Sequence, residues 1–326
     1  MKKNLLVALA DEHFLDQAKQ LFSSVYWNAG WKGDYMLLAC DIPEEKLKWF
    51  REKGILIKKC SPLLNKIFER NESIMLCKFY LFKPEFKRWE HIIYLDADII
   101  VKGSLDRLTN MSGFAAVKDS IHPFRRQFDS VLTNNHKMLL INLEQKYDLN
   151  LDNFNAGMFV VDTSIITSDI FNELIFLADS YGMLSTKGDQ PILNLYFYNR
   201  WQKLPLCYNI YPYNLAHPFL IRDVKSIIGI IFHFIGKRKP WDKRDPFYGE
   251  WKHNLEIAES IDINKPISVK ILDKKEIIKI SRRIKIKMVL YSPIRILDRL
   301  IGLFGLILKR RFQKTSEIDK KLESRR

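Results

Sequence analysis

The chain reads IIYLDAD from Ile92 to Asp98, so an apolar run ends in two acidic residues that are separated by one position. An apolar run of this length predicts a buried β-strand. In extended backbone, residues i and i+2 point to the same side, so the carboxylates of Asp96 and Asp98 can approach one hard divalent cation. The alternative for this stretch is a pair of solvated loop carboxylates.

Short apolar runs alternate with helix-like stretches on both sides of this segment. The predicted strands cover residues 5–10, 35–39, 55–58, 91–95, 114–117, 159–161 and 227–232, and the predicted helices cover 14–28, 43–53, 73–82, 168–181 and 189–199. This alternation indicates βαβ units, an α/β fold and a largely parallel sheet, which binds ligands beyond the carboxyl ends of its strands. Residues 119–153 are polar without a clear period and predict a long binding loop or lid.

The composition indicates a globular chain with a large core. Its 326 residues are 47% hydrophobic and 28% charged, which excludes a collagen-like or mainly disordered protein. The four cysteines lie far apart and form no CxxC motif, so we expect reduced thiols in a reducing compartment rather than a disulfide framework or a zinc site. The apolar run at residues 5–10 is too short for a signal peptide, and no run of about 20 apolar residues exists. We therefore expect a cytoplasmic protein that does not span a membrane.

The positive charge is concentrated at the C-terminal end. The net charge is +15, and residues 261–326 alone carry 19 Lys and Arg against 7 Asp and Glu, a net of +12. The sequence therefore divides into a nearly balanced body, 1–260, and a basic tail, 261–326. The apolar residues of the tail that share one helical face are Leu297, Leu300, Ile301, Phe304, Ile307 and Leu308.

A basic amphipathic helix is typical of a segment that lies on an anionic membrane surface. We expect residues 281–311 to make this contact and expect no nucleic acid partner. The alternative is a helix that packs on the body and turns a basic face to solvent.

The sequence HFIGKRKPW, from His233 to Trp241, follows a second predicted strand. Neutral imidazole is a good ligand for manganese-like ions beside carboxylates. Gly236 permits a close approach of backbone to phosphate, and Lys239 can neutralise phosphate charge. The alternative is a basic surface turn that contains a structural histidine.

Two shorter motifs complete the set of candidate residues. The triplet Asn155-Ala156-Gly157 enters a predicted strand, and Gly188-Asp189-Gln190-Pro191 begins a predicted helix. Taken alone, Asp189 can be a helix N-cap with proline in the first turn.

Four blocks occur in order along the chain, namely YLDADIIV, FNAGMFVVDTS, GDQPILNLYF and HFIGKRKPW. In sequence, order and spacing they resemble the blocks of glycosyltransferase family 8, which includes the glycogenins and bacterial lipopolysaccharide galactosyl- and glucosyltransferases. The resemblance extends over about residues 3–258. It implies a GT-A nucleotide-diphospho-sugar transferase fold in residues 1–260, with a single Rossmann-like mixed sheet flanked by helices.

The resemblance also implies roles for individual residues. It assigns Asp96, Asp98 and His233 to a Mn²⁺ (or Mg²⁺) site. It assigns contacts with the UDP-sugar donor to Ala8, Leu9, Ala10, Asp11, Lys78, Asp96, Ala97, Asp98, Gly236 and Lys239. It surrounds the donor sugar and its reacting carbon with Asp189, Gln190, Asn155 and Asp119.

The implied reaction moves a hexose, glucose or galactose, from a UDP-hexose to a glycan or lipid-linked glycan with retention at the anomeric carbon. Such a step belongs to lipopolysaccharide or polysaccharide biosynthesis, and the basic tail then predicts peripheral attachment to the cytoplasmic face of a membrane. A front-face displacement is the preferred mechanism, because Gln190 is a poor nucleophile.

Three other functions stay open on the sequence. The chain can be a non-catalytic scaffold that has a transferase-like body and binds a membrane or a nucleic acid through its tail. It can be a nucleotidyltransferase, which also uses paired carboxylates but releases pyrophosphate. It can also glucosylate itself, as glycogenins do, at Tyr208, Tyr211 or Tyr213.

Overall fold

The computed structural model describes residues 3–120, 122–128, 134–186, 188–217 and 220–293, and a seven-stranded sheet lies at its centre. The strands of the described chain are β1 (Leu5–Ala10), β2 (Asp34–Cys40), β3 (Leu56–Cys60), β4 (His91–Asp96), β5 (Ile99–Val101), β6 (Phe114–Lys118), β7 (Phe154–Asp162), β8 (Trp201–Lys203) and β9 (Ile231–His233).

The main sheet has the strand order β3-β2-β1-β4-β7-β6-β8. Strands β1 to β4 are parallel, whereas β7 is antiparallel to both β4 and β6. Strands β5 and β9 form a separate antiparallel pair. The chain order reverses between β1 and β4, and such a switch point opens a crevice at the carboxyl ends of the strands. The predicted α/β fold with a mixed sheet is confirmed.

Helices cover both faces of this sheet. They are α1 (Leu15–Ala29), α2 (Lys48–Glu52), α3 (Arg70–Met75), α4 (Asn134–Lys146), α5 (Ile170–Tyr181), α6 (Asp189–Tyr196), α7 (Pro212–Leu215), α8 (Tyr248–Glu256) and α9 (274–293). A 3₁₀ helix, Leu76–Phe82, continues α3 along the sheet.

Strand β1 illustrates why the strands of this sheet are continuous apolar runs in the sequence. Leu6, Ala8 and Ala10 belong to one hydrophobic cluster, and the alternating residues Leu5 and Val7 belong to the other. Side chains of a strand alternate between the two faces of a sheet, so a strand that is covered on both faces has no polar positions.

Several of the predicted elements differ in extent from the observed ones; the helices predicted at 43–53 and 73–82, for example, are partly 3₁₀ helix. Residues 119–153 contain helix α4, whose Leu140 and Leu143 are buried, instead of being a loop throughout. The strand predicted at 227–232 is reduced to β9, because its pairing with the three residues of β5 covers only Ile231–His233. Strand β7 begins at Phe154, five residues earlier than predicted, because Lys118 at the end of β6 pairs with Phe154 beyond a register shift.

The first part of the C-terminal segment packs on the body. In helix α9, Ile277 and Ile284 are only 5% and 4% exposed and join the cluster that contains β1. Lys287 forms an ion pair of 3.4 Å with Asp223. The predicted amphipathic stretch, 297–308, lies outside the described residues, so the division of the chain at residue 260 stays a prediction. None of the described helices has both the length and the apolarity that crossing a membrane requires.

Candidate active site

Three potential cation ligands converge after β4. Asp96 ends β4, Asp98 follows in the turn, and β9 pairs with β5 so that His233 is opposite Ile99. The Nε2 atom of His233 lies 3.2 Å from Asp98 Oδ1 and 3.8 Å from Asp96 Oδ2. The three side chains offer ligand atoms that all lie within 4.8 Å of one another. The structure thus brings together the predicted metal residues.

Each carboxylate of this group gives one oxygen to a lysine and turns the other towards His233. The Oδ1 atom of Asp96 lies 3.0 Å from Lys78 Nζ and accepts a hydrogen bond of 2.7 Å from the Tyr94 hydroxyl. Lys239 Nζ donates to Asp98 Oδ2 at 2.5 Å. The remaining oxygens and His233 Nε2 can serve together as ligands of one divalent cation.

The orientation of His233 is fixed by Asn209. The Nδ1 atom of His233 lies 3.0 Å from Asn209 Oδ1, and the Nδ2 atom of Asn209 donates to Asn155 Oδ1 at 2.9 Å. The amide oxygen of Asn209 can only accept, so the hydrogen-bond network assigns the imidazole proton to Nδ1 and leaves the Nε2 lone pair for a ligand.

Gly157 leaves space beside these ligand atoms. A Cβ atom at this position would lie 2.2 Å from His233 Cε1 and 2.6 Å from Asp96 Oδ2. No side chain other than hydrogen fits there without displacing His233 or Asp96. The space that Gly157 leaves, and the carboxylate and imidazole ligands beside it, both fit a bound cation.

Lys78 and Asp189 form a buried ion pair next to this group. The Nζ atom of Lys78 lies 3.0 Å from Asp189 Oδ2 and also donates to the carbonyl oxygen of Ala156 at 3.3 Å. Burial disfavours the charged amine, but the carboxylates of Asp189 and Asp96 outweigh it and raise the pKa of Lys78.

Burial raises the pKa of Asp189 to about 6, although Lys78 opposes this shift. Asp189 Oδ2 accepts no aligned hydrogen bond in the described structure, so its contact with Lys78 is chiefly electrostatic. The pKa of Asp98 is affected in the opposite direction. Burial raises it, but His233 and Lys239 outweigh burial and hold the pKa of Asp98 well below its usual range.

A chain of amide hydrogen bonds connects the other predicted residues. Asn155 Nδ2 donates to Gln190 Oε1 at 2.8 Å, and Gln190 Nε2 donates to Asp119 Oδ2 at 3.1 Å. Asp119 also accepts from the backbone N–H of His122 at 3.1 Å. Through Asn209, this chain reaches His233, so predicted residues from distant parts of the sequence form one connected site.

The remaining predicted residues line the same edge of the sheet. Leu9 pairs with Asp96 in the parallel register, so the end of β1, with Ala8 and Ala10, lies beside the end of β4. Asp11 caps a short 3₁₀ helix by accepting from His13 N. Ala97 lies in a turn and Gly236 in a bend. Gly236 has a φ of +82°, and a Cβ atom added to it would meet no atom within 4 Å.

Two site residues were not predicted from the sequence. Asn209 is 4% exposed and lies in the stretch CYNIYPY, which contains no motif that marks it. Tyr94 lies inside the quoted strand, and its hydroxyl group binds Asp96. Its position two residues before Asp96, on the same face of β4, is the only sequence signal for this contact.

The comparison with protein families decides the classification. Residues 5–245 match the family model described as glycosyl transferase family 8. The chain belongs to glycosyltransferase family 8. The predicted resemblance is confirmed.

Two curated relatives come from Streptococcus pneumoniae serotype 4. Glycosyltransferase GlyB is 27% identical over 213 residues, which are 61% of this family 8 chain and 46% of GlyB. Glycosyltransferase GlyF is 25% identical over 260 residues, which are 74% of this chain and 58% of GlyF. The chain therefore spans about half the length of these relatives.

Solved structures identify the fold of this family 8 chain. The crystal structure of GlyE from S. pneumoniae TIGR4 gives a TM-score of 0.56 at 22% identity, over 81% of this chain and 63% of that protein. The galactosyltransferase LgtC, solved with donor and acceptor sugar analogs, gives a TM-score of 0.56 at 17% identity, over 83% and 98%. The fold is the GT-A fold, as predicted.

Proposed function

We propose that the protein is a retaining, metal-dependent glycosyltransferase that moves a hexose, glucose or galactose, from a UDP-sugar to a glycan or lipid-linked glycan. The observation that carries this proposal is the position of the Asp96, Asp98 and His233 group. It lies beside the buried pair of Lys78 and Asp189, at the carboxyl edge of the sheet in a family 8 chain. Cation ligands and polar groups for a sugar are thus adjacent.

The residues after β4 and β9 would bind the diphosphate of the donor. Mn²⁺ (or Mg²⁺) at Asp96, Asp98 and His233 would offset the negative charge that develops on the leaving UDP. Lys239 is part-buried and already near Asp98, so it can contact the same phosphates. The positive φ of Gly236 and the empty space around it favour a close backbone approach to phosphate.

The small residues at the end of β1 would accept the nucleoside. Ala8 and Ala10 have small side chains, which leaves space at the switch point, and Asp11 is partly exposed there. We assign these residues, with Leu9 and Ala97, to contacts with uracil and ribose.

The amide network would hold the donor sugar. Asn155, Gln190 and Asp119 are buried and already orient one another, so few rotamers remain to be fixed when a sugar binds. Lys78 would contact the donor beside Asp189.

The ion pair with Lys78 makes Asp189 a weaker nucleophile than an unpaired carboxylate at the same buried position would be. Asp189 Oδ2 faces Lys78 Nζ at 3.0 Å, and a carboxylate that is paired with an ammonium group has less charge to offer to carbon. This favours a front-face displacement, in which the leaving phosphate accepts the proton of the acceptor hydroxyl. Isolation of a covalent glycosyl adduct on Asp189 would contradict this mechanism.

The experiment that tests the proposal follows UDP release from a panel of UDP-sugars in the presence of Mn²⁺, with and without EDTA. We expect release from one sugar by the purified full chain, and loss of release with EDTA and in Asp98→Ala. Asp16→Ala is the matched control, since the Asp16 carboxylate is 64% exposed on helix α1.

Donor binding in the same samples separates the other functions. Absence of Mn²⁺-dependent binding of any UDP-sugar would overturn the proposal and favour the non-catalytic scaffold. Release of pyrophosphate instead of UDP would indicate a nucleotidyltransferase. A hexose on a peptide that contains Tyr208, Tyr211 or Tyr213 would indicate self-glucosylation, although Tyr208 and Tyr211 are buried.

A further inference from the structure

A second group of metal-competent side chains lies outside the candidate active site. Cys40, Cys60 and Cys77 are free, buried cysteines whose Sγ atoms all lie within 4.8 Å of one another. Cys40 and Cys60 end β2 and β3 and are paired in the parallel register, whereas Cys77 comes from the 3₁₀ helix Leu76–Phe82. Residues that are far apart in the sequence thus form one cluster of sulfur atoms.

The spacing of the sulfur atoms fits ligands of a common ion. Cys40 Sγ and Cys77 Sγ are 3.6 Å apart. Two thiolates that bind one Zn²⁺ at about 2.3 Å with tetrahedral angles are about 3.8 Å apart, whereas sulfurs of a disulfide are about 2.05 Å apart. The Cys40–Cys77 pair therefore has nearly the edge length of a tetrahedral zinc–thiolate site, and the other two separations are within 4.8 Å.

The donor set differs in kind from that of Asp96, Asp98 and His233. Three sulfur ligands without a carboxylate or imidazole select soft, thiophilic ions over Mn²⁺ and Mg²⁺. Cys60 is 9% exposed, whereas Cys40 and Cys77 are fully buried, so Cys60 is the member of the cluster nearest to solvent.

We propose that Cys40, Cys60 and Cys77 bind one Zn²⁺ ion, with water at the fourth position. Binding replaces three thiol protons, which pass to solvent, and leaves one net negative charge on the site. Next to the cluster, Arg70 and Asp41 form an ion pair of 3.4 Å, so that their charges offset each other.

The consequence for the active site follows from the position of Cys77 next to Lys78. Cys77 and Lys78 lie on the same 3₁₀ helix, and an ion at the cluster joins this helix to the ends of β2 and β3. The ion would therefore hold the segment from which Lys78 reaches Asp96 and Asp189.

The test uses the full chain, purified reduced and without oxygen. We expect about one equivalent of zinc by elemental mass spectrometry. After exchange with Co²⁺, we expect the near-ultraviolet absorption of thiolate-to-cobalt charge transfer. Cys60→Ala should remove this absorption or weaken cobalt binding by more than the roughly 10–100-fold that changes around metal ligands cost.

Cys207→Ala is the matched control, because Cys207 is also buried but lies outside the cluster. It should keep the zinc content and the cobalt spectrum. Asp98→Asn should also keep the thiolate absorption, which distinguishes the cluster from the site after β4. Circular dichroism checks that Cys60→Ala is folded.

Two results would overturn the proposal. One is a reduced wild-type protein that shows no thiolate-to-cobalt absorption at saturating Co²⁺. The other is an absorption that folded Cys60→Ala retains in full. Neither result depends on transferase activity, so a failure here is distinct from a failure of the proposed function.

Discussion

Gly157 lies so close to the candidate cation ligands that adding a side chain there should weaken metal binding. A Cβ atom at this position would lie 2.2 Å from His233 Cε1, so Gly157→Ala must displace the imidazole. We expect Mn²⁺ affinity to fall at least about 10-fold, since changes that reorient metal ligands cost roughly 10–100-fold. Calorimetric titration of Mn²⁺ measures the effect.

Gly249→Ala provides the control for this substitution. Gly249 lies in helix α8, and a Cβ atom there would meet no atom within 4 Å. This variant should bind Mn²⁺ as the wild type does. Equal affinities of wild type and folded Gly157→Ala would contradict the proposed cation position.

Asp189 gives a prediction for the pH dependence of stability in the metal-free protein. Its pKa is raised from 3.8 to about 6, so the folded state holds this proton more tightly than the unfolded state does. The stabilisation is fully present below about pH 4 and is lost as the pH rises through about 6. The total is about 3 kcal/mol, at 1.36 kcal/mol for each pKa unit.

The comparison of wild type with Asp189→Asn isolates this effect. Urea unfolding in EDTA, at several pH values from 4 to 8, gives the two free energies of unfolding. The wild type should lose stability relative to Asp189→Asn between about pH 4 and 6, with little further change above about pH 7. A difference that stays constant over the whole range would contradict the raised pKa.

The sequence identified those site residues that follow strands or open helices. Asp96, Asp98 and His233 come after apolar runs, and the fold then brings the ends of these runs together. Asn209 could not be identified in this way, because its contact with His233 crosses 24 positions and depends on the bridge between Ile210 and Phe232 of β9. A single asparagine carries no pattern that marks such a contact.

Among secondary-structure elements, buried strands were predicted best. Strand β1 was predicted with its observed bounds, Leu5–Ala10, because a short, continuous apolar run that stops at a charged residue is typical of a strand covered on both faces. Helix α4 was missed because its sequence, NNHKMLLINLEQK, shows only a weak contrast between its faces. Strand β7 was predicted too short, because the pairing of Lys118 with Phe154 extends it back through Asn155 and Gly157.

Helix α9 allows a test of how firmly the C-terminal segment is attached to the body. Ile284 is 4% exposed and lies within the core cluster, whereas Ile286, on the same helix, is 58% exposed. Ile284→Ala should lower the free energy of unfolding by about 2–5 kcal/mol. Ile286→Ala should change it by less than about 0.5 kcal/mol.

Urea unfolding at constant pH gives both free energies, and the two variants have the same chemical change in the same helix. Equal, small effects would mean that α9 does not pack on the body in solution. Equal, large effects would mean that the exposed face of α9 is also covered.

Over the full length of the chain, the excess of positive charge predicts binding to a membrane surface through residues 281–311. In the described part of this range, Arg282 and Lys285 are exposed, and Val289 and Leu290 present apolar side chains to solvent. Each basic residue near an anionic leaflet contributes about 1 kcal/mol. Reversing two such charges, in Arg282→Glu with Lys285→Glu, should therefore weaken binding by more than about 10-fold.

Sedimentation with vesicles checks this expectation. The full chain should sediment with vesicles that contain anionic lipid, lose this binding in high salt, and stay in solution with neutral vesicles. Lys3→Glu with Lys48→Glu reverses two charges that are 71% and 78% exposed on the body and should bind like wild type. Equal loss of binding in both double variants would indicate attraction to the overall charge instead of a specific surface.

The cysteine cluster consists of residues that are distant in the sequence, so the sequence alone does not reveal it. They are too far apart in the sequence to suggest a common site. All four cysteines are free thiols, as expected, but three of them lie together in the fold. The register of β2 with β3 pairs Cys40 with Cys60, and the approach of the 3₁₀ helix adds Cys77. Such a cluster depends on which strands are neighbours in the sheet, and a single sequence does not specify these neighbours.

The two lysines beside Asp96 and Asp98 also have a consequence for the order in which ligands bind. Around the cation position, three carboxylates, those of Asp96, Asp98 and Asp189, face the ammonium groups of Lys78 and Lys239, which leaves one net negative charge. A divalent cation reverses the sign of this charge to one net positive. The empty site therefore repels a nucleoside diphosphate and the loaded site attracts it, so the metal should enter first and the sugar nucleotide second.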